Sequence, residues 1–163
     1  MPSVTEFRLD AELAGFVTGG VTVIAASRDA GNCPNLVRAR GCRVSPDGRR
    51  VTVFLDGPQS TSLLADWRAN GRVAVVFTRP STHRSVQLKG RDAAIEPLAE
   101  GDHAIVARYR DLLAEELATI GYGHGFTAAL LAADHDALVA LSFTPEAAFS
   151  QTPGPGAGAP LTR

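Results

Sequence analysis

The sequence predicts a mainly β chain, either an all-β barrel or an α+β domain of six antiparallel strands with peripheral helices. Three observations lead there. Short β-branched runs recur along the chain, tight turns rather than helices join most of them, and one long helical period stands late, between about residues 100 and 120. The strand–turn–strand order argues against a doubly wound parallel sheet. No glycine-rich phosphate fingerprint links a strand to a helix.

Asp10 is placed to cap a short helix over Ala-Glu-Leu-Ala-Gly-Phe, which Gly19-Gly20 stops. Val21 to Ala25 then reads as a buried strand, too short and too β-branched for a helix. Arg28-Asp29-Ala30-Gly31-Asn32 is a turn, and a second strand runs from about Asn35 to Val44. Ser45-Pro46-Asp47-Gly48 turns the chain into a third strand, Val51 to Leu55, so these two form a hairpin. Ser60 or Thr61 caps a helix whose Leu63, Leu64 and Trp67 share one face, and Asn70-Gly71 ends it. Val73 to Phe77 is a fourth strand and Ser85 to about Ile95 a long fifth one. Gly90 inside it signals a bulge or a close approach by a ligand or a neighbouring backbone. Ile105, Tyr109, Leu112, Leu113, Leu117 and Ile120 set the helical period, with a further short helix over Phe126 to Ala133. Leu138 to Phe143 is the last strand. Residues 1–150 thus read as a single domain, and 151–163 as a Pro/Gly-rich tail.

A chain of 163 residues builds one core, and 45% hydrophobic with 20% charged residues is ordinary globular composition. Seventeen acidic against sixteen basic residues leave a formal charge of −1, which argues against a nucleic-acid binder. No apolar run reaches the roughly 18–20 residues that span a bilayer, and the N-terminus lacks the pattern of a signal peptide, so no membrane partner and a cytoplasmic location are expected. Fifteen of the sixteen basic residues are Arg and Lys89 is the one Lys, so a phosphate grip has to come from Arg, backbone amides, hydroxyls or Lys89. Cys33 and Cys42 form no Cys-x-x-Cys pair and the histidines are scattered, so neither a metal site nor a disulfide is expected; both cysteines read as buried or half-buried fillers.

Three groups could carry chemistry. Arg38 and Arg40 share a strand face, with Arg43 on the other unless Gly41 bulges the strand. Arginines in a barrel mouth pair with a phosphate or carboxylate; the same pattern also fits an edge strand guarded by charge. Ser60-Thr61-Ser62 opens a helix, which suits an anion, or is simply a cap. Ser85, Gln87 and Lys89 line one face of the fifth strand and either border a polar site or face solvent. There is no Gly-x-Ser-x-Gly elbow and no His-Glu-x-x-His, and no catalytic acid–base residue can be assigned. A site of this kind suits a cofactor that brings its own reactivity.

Five segments in order carry a family resemblance: Gly-Val-Thr-Val-Ile-Ala-Ala-Ser (20–27), Pro-Asn-Leu-Val-Arg-Ala-Arg-Gly (34–41), Asn-Gly-Arg-Val-Ala-Val-Val-Phe (70–77), Arg-Pro-Ser-Thr-His-Arg-Ser-Val-Gln-Leu-Lys-Gly (79–90) and Phe-Ser-Gln-Thr-Pro-Gly-Pro-Gly-Ala-Gly (149–158). In these the chain resembles the pyridoxamine 5'-phosphate oxidase-like proteins, the FMN-binding split-barrel superfamily, mostly over residues 14–97. The resemblance implies a six-stranded split barrel and a homodimer with FMN at the subunit interface. It implies that Arg38 meets the FMN phosphate, that Arg43 stands where the oxidases have a lysine near flavin and substrate, and that Thr61 matches the serine opening the helix. Ser85 matches a polar residue at the flavin ring. Ser60, Ser62, Gln87 and Lys89 complete the expected cofactor set.

Where the oxidases follow that serine with Arg-Lys, this chain has Ser62-Leu63, and the oxidases' C-terminal Trp and Arg are replaced by the Pro-Gly tail. The expectation is therefore a related small flavoprotein, a flavin-dependent oxidoreductase acting on a small molecule, rather than a pyridoxamine phosphate oxidase. The alternative is a non-catalytic protein of the same fold that holds haem, a deazaflavin or no cofactor. A Pro-rich tail is stiff enough to reach a partner's site, or is a disordered terminus.

Overall fold

The Asp10 carboxylate accepts from Leu13 N at 2.8 Å and starts α1 (Ala11–Val17), whose Leu13, Phe16 and Val17 are buried. The computed structural model describes residues 7–132 and 135–161. After α1 come β1 (Thr22–Arg28), β2 (Pro34–Arg38), β3 (Cys42–Val44) and β4 (Val51–Asp56). A 3-10 turn (Pro58–Ser60) leads into α2 (Thr61–Asn70), followed by β5 (Val73–Thr78), β6 (Ser85–Gly90) and β7 (Ala94–Glu96). Then come α3 (Asp102–Ala118), α4 (His124–Leu130), a 3-10 turn at His135–Ala137, β8 (Leu138–Phe143) and β9 (Ala147–Ser150).

All pairings are antiparallel, in a five-stranded sheet β2-β1-β5-β6-β9 and a four-stranded sheet β3-β4-β8-β7. Helix and strand are roughly equal in amount, so the expected mainly β character is corrected to α+β. The six expected strands appear, but two of them divide. Residues 34–44 break at Ala39–Gly41: Ala39 N still donates to Val23 O (2.9 Å) in the first sheet, whereas Arg40 N donates to Phe54 O (2.7 Å) in the second. Gly41 makes this turn at φ +109°, and a Cβ there would lie 2.9 Å from the Tyr109 side chain. Residues 85–96 divide the same way after Gly90, where a Cβ would lie 2.7 Å from Thr144 O; the close approach read from the sequence is a neighbouring backbone. The ninth strand, β9, was not expected.

The inner faces of both sheets supply the core, with Val23, Val75, Phe77, Leu88, Val53, Leu55, Leu141 and Phe143 at 0% exposure. Leu63 and Trp67 of α2 close one side of it and Leu113 of α3 joins it. The Cys42 thiol donates to Val17 O at 3.1 Å, and burial pushes its pKa up to about 12. Cys33 is exposed, which corrects its reading as a filler, and both cysteines are free.

The tail is folded against its own chain. Ser150 N donates to Ala159 O (2.9 Å), Gly158 N to Ser150 O (2.7 Å) and Leu161 N to Ala148 O (2.8 Å), so residues 158–161 run back along β9. Residues 151–161 are thus held on their own chain, unlike the disordered terminus that was one of the two expectations for them. Among the described residues, no helix is long and apolar enough to cross a membrane and no His/Cys/Asp/Glu cluster suits a metal ion.

Candidate functional site

Residues opposite one another in an antiparallel ladder share a face, so the registers define rows across the outer side of the five-stranded sheet. One row is Arg38, Ile24, Val76, Gln87 and Phe149, all half-buried. The next row is Leu36, Ala26, Ala74, Lys89 and Ala147. On the other side of the first row stand Thr22, Thr78 and Ser85. At about 4.8 Å per strand, Arg38 and Gln87 are about 14 Å apart, with two β-branched side chains between them. Alternate residues face the core, which is why these rows are the ones left at the surface.

Arg38 ends β2 half-buried, and its Nη1 is buried with no hydrogen-bond partner among the described residues. Its charge acts on Tyr109, whose hydroxyl donates to Val21 O at 2.8 Å; burial pushes the Tyr109 pKa up and Arg38 opposes that rise. Arg40 was expected on the same face as Arg38, but the bend at Ala39–Gly41 rotates it away. It is buried at 3% exposure and donates to Leu130 O (3.1 Å), Ala132 O (2.9 Å) and more weakly to Gln59 Oε1 (3.5 Å). Burial lowers the Arg40 pKa, and Asp56 opposes the shift.

Arg43 is engaged elsewhere. Its Nε donates to Asp102 Oδ1 at 2.9 Å, and Asp102, 1% exposed, also accepts from Ala99 N at 2.8 Å. The pair fixes the start of α3. Ser60 is buried and donates to Asp56 O (2.6 Å), and Thr61 Oγ1 donates to Pro58 O (3.2 Å). Neither side chain caps α2, as had been expected of one of them. Thr61 and Ser62 are exposed at its start. Gln59 meets Arg40 at one end of β2, and Asp66 accepts from Asn35 (2.8 Å) and Ser27 (2.6 Å) at the other, so α2 runs beside β2 with its start near the bend. Those two hydrogen bonds, Ser27 first, hold the Asp66 pKa below the usual carboxylate value.

On β6, the Ser85 hydroxyl bonds to Thr78 Oγ1 (2.8 Å) and His83 O (3.0 Å). Ser85 N donates to Thr152 Oγ1 (3.0 Å), and Ser85 O accepts from Gln151 N (2.8 Å). Among the described residues, Gln87 Oε1 has only a long bond from Gln151 Nε2, at 3.4 Å. Lys89 is exposed, with Nζ 5.0 Å from the Phe149 ring centre. The sheet thus brings Arg38 and Gln87 into one row and Lys89 into the next; Arg43, Ser60 and Ser85 are engaged by protein partners. The sequence reading missed the buried roles of Arg40 and Asp102, for which Gly41 beside Arg40 was the one local signal.

No protein-family model matches the sequence, and no curated protein does. Solved structures do. HupZ of Group A Streptococcus superposes over 92% of this chain and 99% of its own, with TM-score 0.55 and 15% identity. A pyridoxamine 5'-phosphate oxidase candidate from Lactobacillus delbrueckii covers 91% and 99%, at 0.54 and 13%. An F420 reductase covers 86% and 98%, at 0.53 and 14%. The fold is pyridoxamine 5'-phosphate oxidase-like.

Within this pyridoxamine 5'-phosphate oxidase-like fold, the two helices between β7 and β8 reach the bend at 39–41. Tyr109 of α3 packs on Gly41, and the carbonyls at the end of α4 take the Arg40 guanidinium. What remains open along the outer row is a guanidinium with a free buried donor, an apolar floor and a weakly held carboxamide. Such a row can hold an elongated ligand with an anionic end and a flat apolar body.

Proposed function

We propose that this protein is a homodimeric split-barrel binder of an anionic planar redox cofactor, FMN in the first instance, which it uses for electron or hydride transfer with a small molecule. The supporting observation is the row Arg38–Ile24–Val76–Gln87, with the unpartnered Arg38 Nη1 at its end. A buried guanidinium N–H without an acceptor is costly, and a phosphate oxygen is its natural complement. Arg38, Thr61 and Ser62 would hold the phosphate, Ile24 and Val76 would lie against the ring, and Gln87 would hydrogen-bond its edge. When bound, the flavin supplies the reversible transfer of electrons or hydride; the protein orients it and leaves one edge for substrate.

Residues 34–44 and 85–96 each contribute to both sheets, so counting each as one continuous strand gives a six-stranded ring, consistent with a split barrel. Near β2 the outer face carries Leu36 at 63% exposure beside Ile24, and a second copy is the natural cover for that part of it. The cofactor would then lie between the two copies.

A second reading keeps the fold without the flavin chemistry. It is favoured by Arg40, whose guanidinium is spent on Leu130 O and Ala132 O, and by Ser62-Leu63, which brings no charge to the start of α2. The F420 reductase among similar structures makes a deazaflavin the related candidate. Equilibrium dialysis and absorbance spectra of the purified protein with FMN, F420 and haem separate these readings. FMN is expected to be retained with a two-band flavin spectrum, and Arg38→Ala to weaken retention by at least about tenfold. Equal FMN retention in Arg38→Ala, or a Soret band with haem and no FMN uptake, overturns the assignment.

A further inference from the structure

We propose a second ligand site on the same sheet, a groove for a small planar anion bearing a phosphate or carboxylate. The groove, about 480 Å³, opens over the row next to that of Arg38. Its floor is Ala26, Ala74 and Ala147, methyl side chains where the neighbouring row carries Ile24, Val76 and Phe149, so the surface sinks there. Phe149 forms an aromatic wall, with Lys89 over its ring.

The charge around this trough is one-sided. Arg28, Arg72, Lys89 and Arg91 line it, against Glu146 alone. Glu146 pairs with Arg91 at 3.3 Å, and Arg28 donates to the neutral oxygen of Asn32 at 2.6 Å. Arg72 and Lys89 have no carboxylate partner among the described residues. Three positive charges therefore stand without compensation in a chain whose formal charge is −1. Clustered cations beside a low-dielectric wall focus a field that draws anions in. Arg72 and Lys89 would take the charged group while the flat body lies on the alanine floor against Phe149. This fit asks for an aromatic or similarly planar skeleton, because three methyl groups and a ring offer area but few hydrogen bonds.

The groove shares no donor with the Arg38 end of the sheet, so it stands whether or not a flavin binds there. Amide chemical shifts, followed while the protein is titrated with phenyl phosphate, benzoate, inorganic phosphate and benzyl alcohol, test it. Phenyl phosphate or benzoate is expected to shift Ala74, Lys89 and Ala147 saturably at millimolar concentrations, and the tighter of the two names the charged group. Arg72→Ala and Lys89→Ala are each expected to weaken binding about tenfold, and Arg38→Ala to leave it unchanged. Both groove side chains are exposed, so these variants keep the fold, which the unshifted remainder of the spectrum verifies. No saturation, inorganic phosphate as tight as phenyl phosphate, unchanged affinity in Arg72→Ala and Lys89→Ala, or loss of binding in Arg38→Ala overturns the proposal.

Discussion

Arg43 and Asp102 show how a residue's role can depend on a partner far along the chain. The family resemblance implied that Arg43 stands near a site, but its partner lies 59 residues away, where no local pattern could reveal it. Removing the charge in Asp102→Asn should lower stability by about 1–2 kcal/mol in urea unfolding, with the loss centred on α3, since the hydrogen bond to a charged group is weakened but not abolished. The half-buried place of Arg38 was legible because it ends a strand between apolar neighbours, whereas the burial of Arg40 depends on the end of α4, whose Leu130 carbonyl and the following Ala132 carbonyl take its guanidinium. Cys42 carries a pH dependence. Burial raises its pKa from the ordinary 9.0 to about 12, so the unfolded chain gives up this proton first as pH rises. Its contribution is complete below pH 9 and is lost progressively towards pH 12. Cys42→Ala should therefore flatten the alkaline fall in unfolding free energy across that interval, as measured by denaturant titrations at stepped pH.

At the scale of elements, strands with β-branched alternation and turns of Pro, Asp and Gly could be read directly, and β8 matches its expected span. The long second and fifth strands were read as continuous because nothing in a period of two records a change of sheet. Gly41 and Gly90 mark where the chain bends or is crowded, and only the partners they meet explain why. Gly41→Ala should cost about 1–3 kcal/mol from its backbone conformation alone, before the contact with Tyr109 is relieved. A fall in melting temperature larger than that of Gly125→Ala, where the space is open, would confirm that the bend is the cause. β9 escaped notice because Ala147–Ser150 is short, follows Pro145 and carries two alanines. Its hydrogen bonds come from β6 and from the returning tail. Deleting residues 151–163 removes the Thr152 and Gln151 bonds to Ser85 along with those to β9, and should lower stability on the order of 2–3 kcal/mol.

For the molecule as a whole, the sequence supplied the strand sequence and the outer-face composition, while the distribution of strands into two sheets comes from pairing partners scattered over more than a hundred residues. Leu36 is the most exposed of the large apolar side chains described, and it lies on the face proposed to meet a second copy. Burying one Leu contributes about 1.5–3 kcal/mol and a symmetric pair buries two, so Leu36→Asp should weaken self-association by about a hundredfold or more. Sedimentation velocity across a concentration series reads this directly; a monomer at every concentration for the unaltered chain would refute the pairing. The lateral margins of the larger sheet point to the same arrangement. α2 flanks β2 through the Asn35–Asp66 hydrogen bond, and the strip 158–161 occupies the free side of β9, so each border has a neighbour from the same chain. A neighbour on each border discourages growth by strand annexation, the route to fibrils, and under the proposed pairing contact runs face to face, where a twofold axis would close it at two.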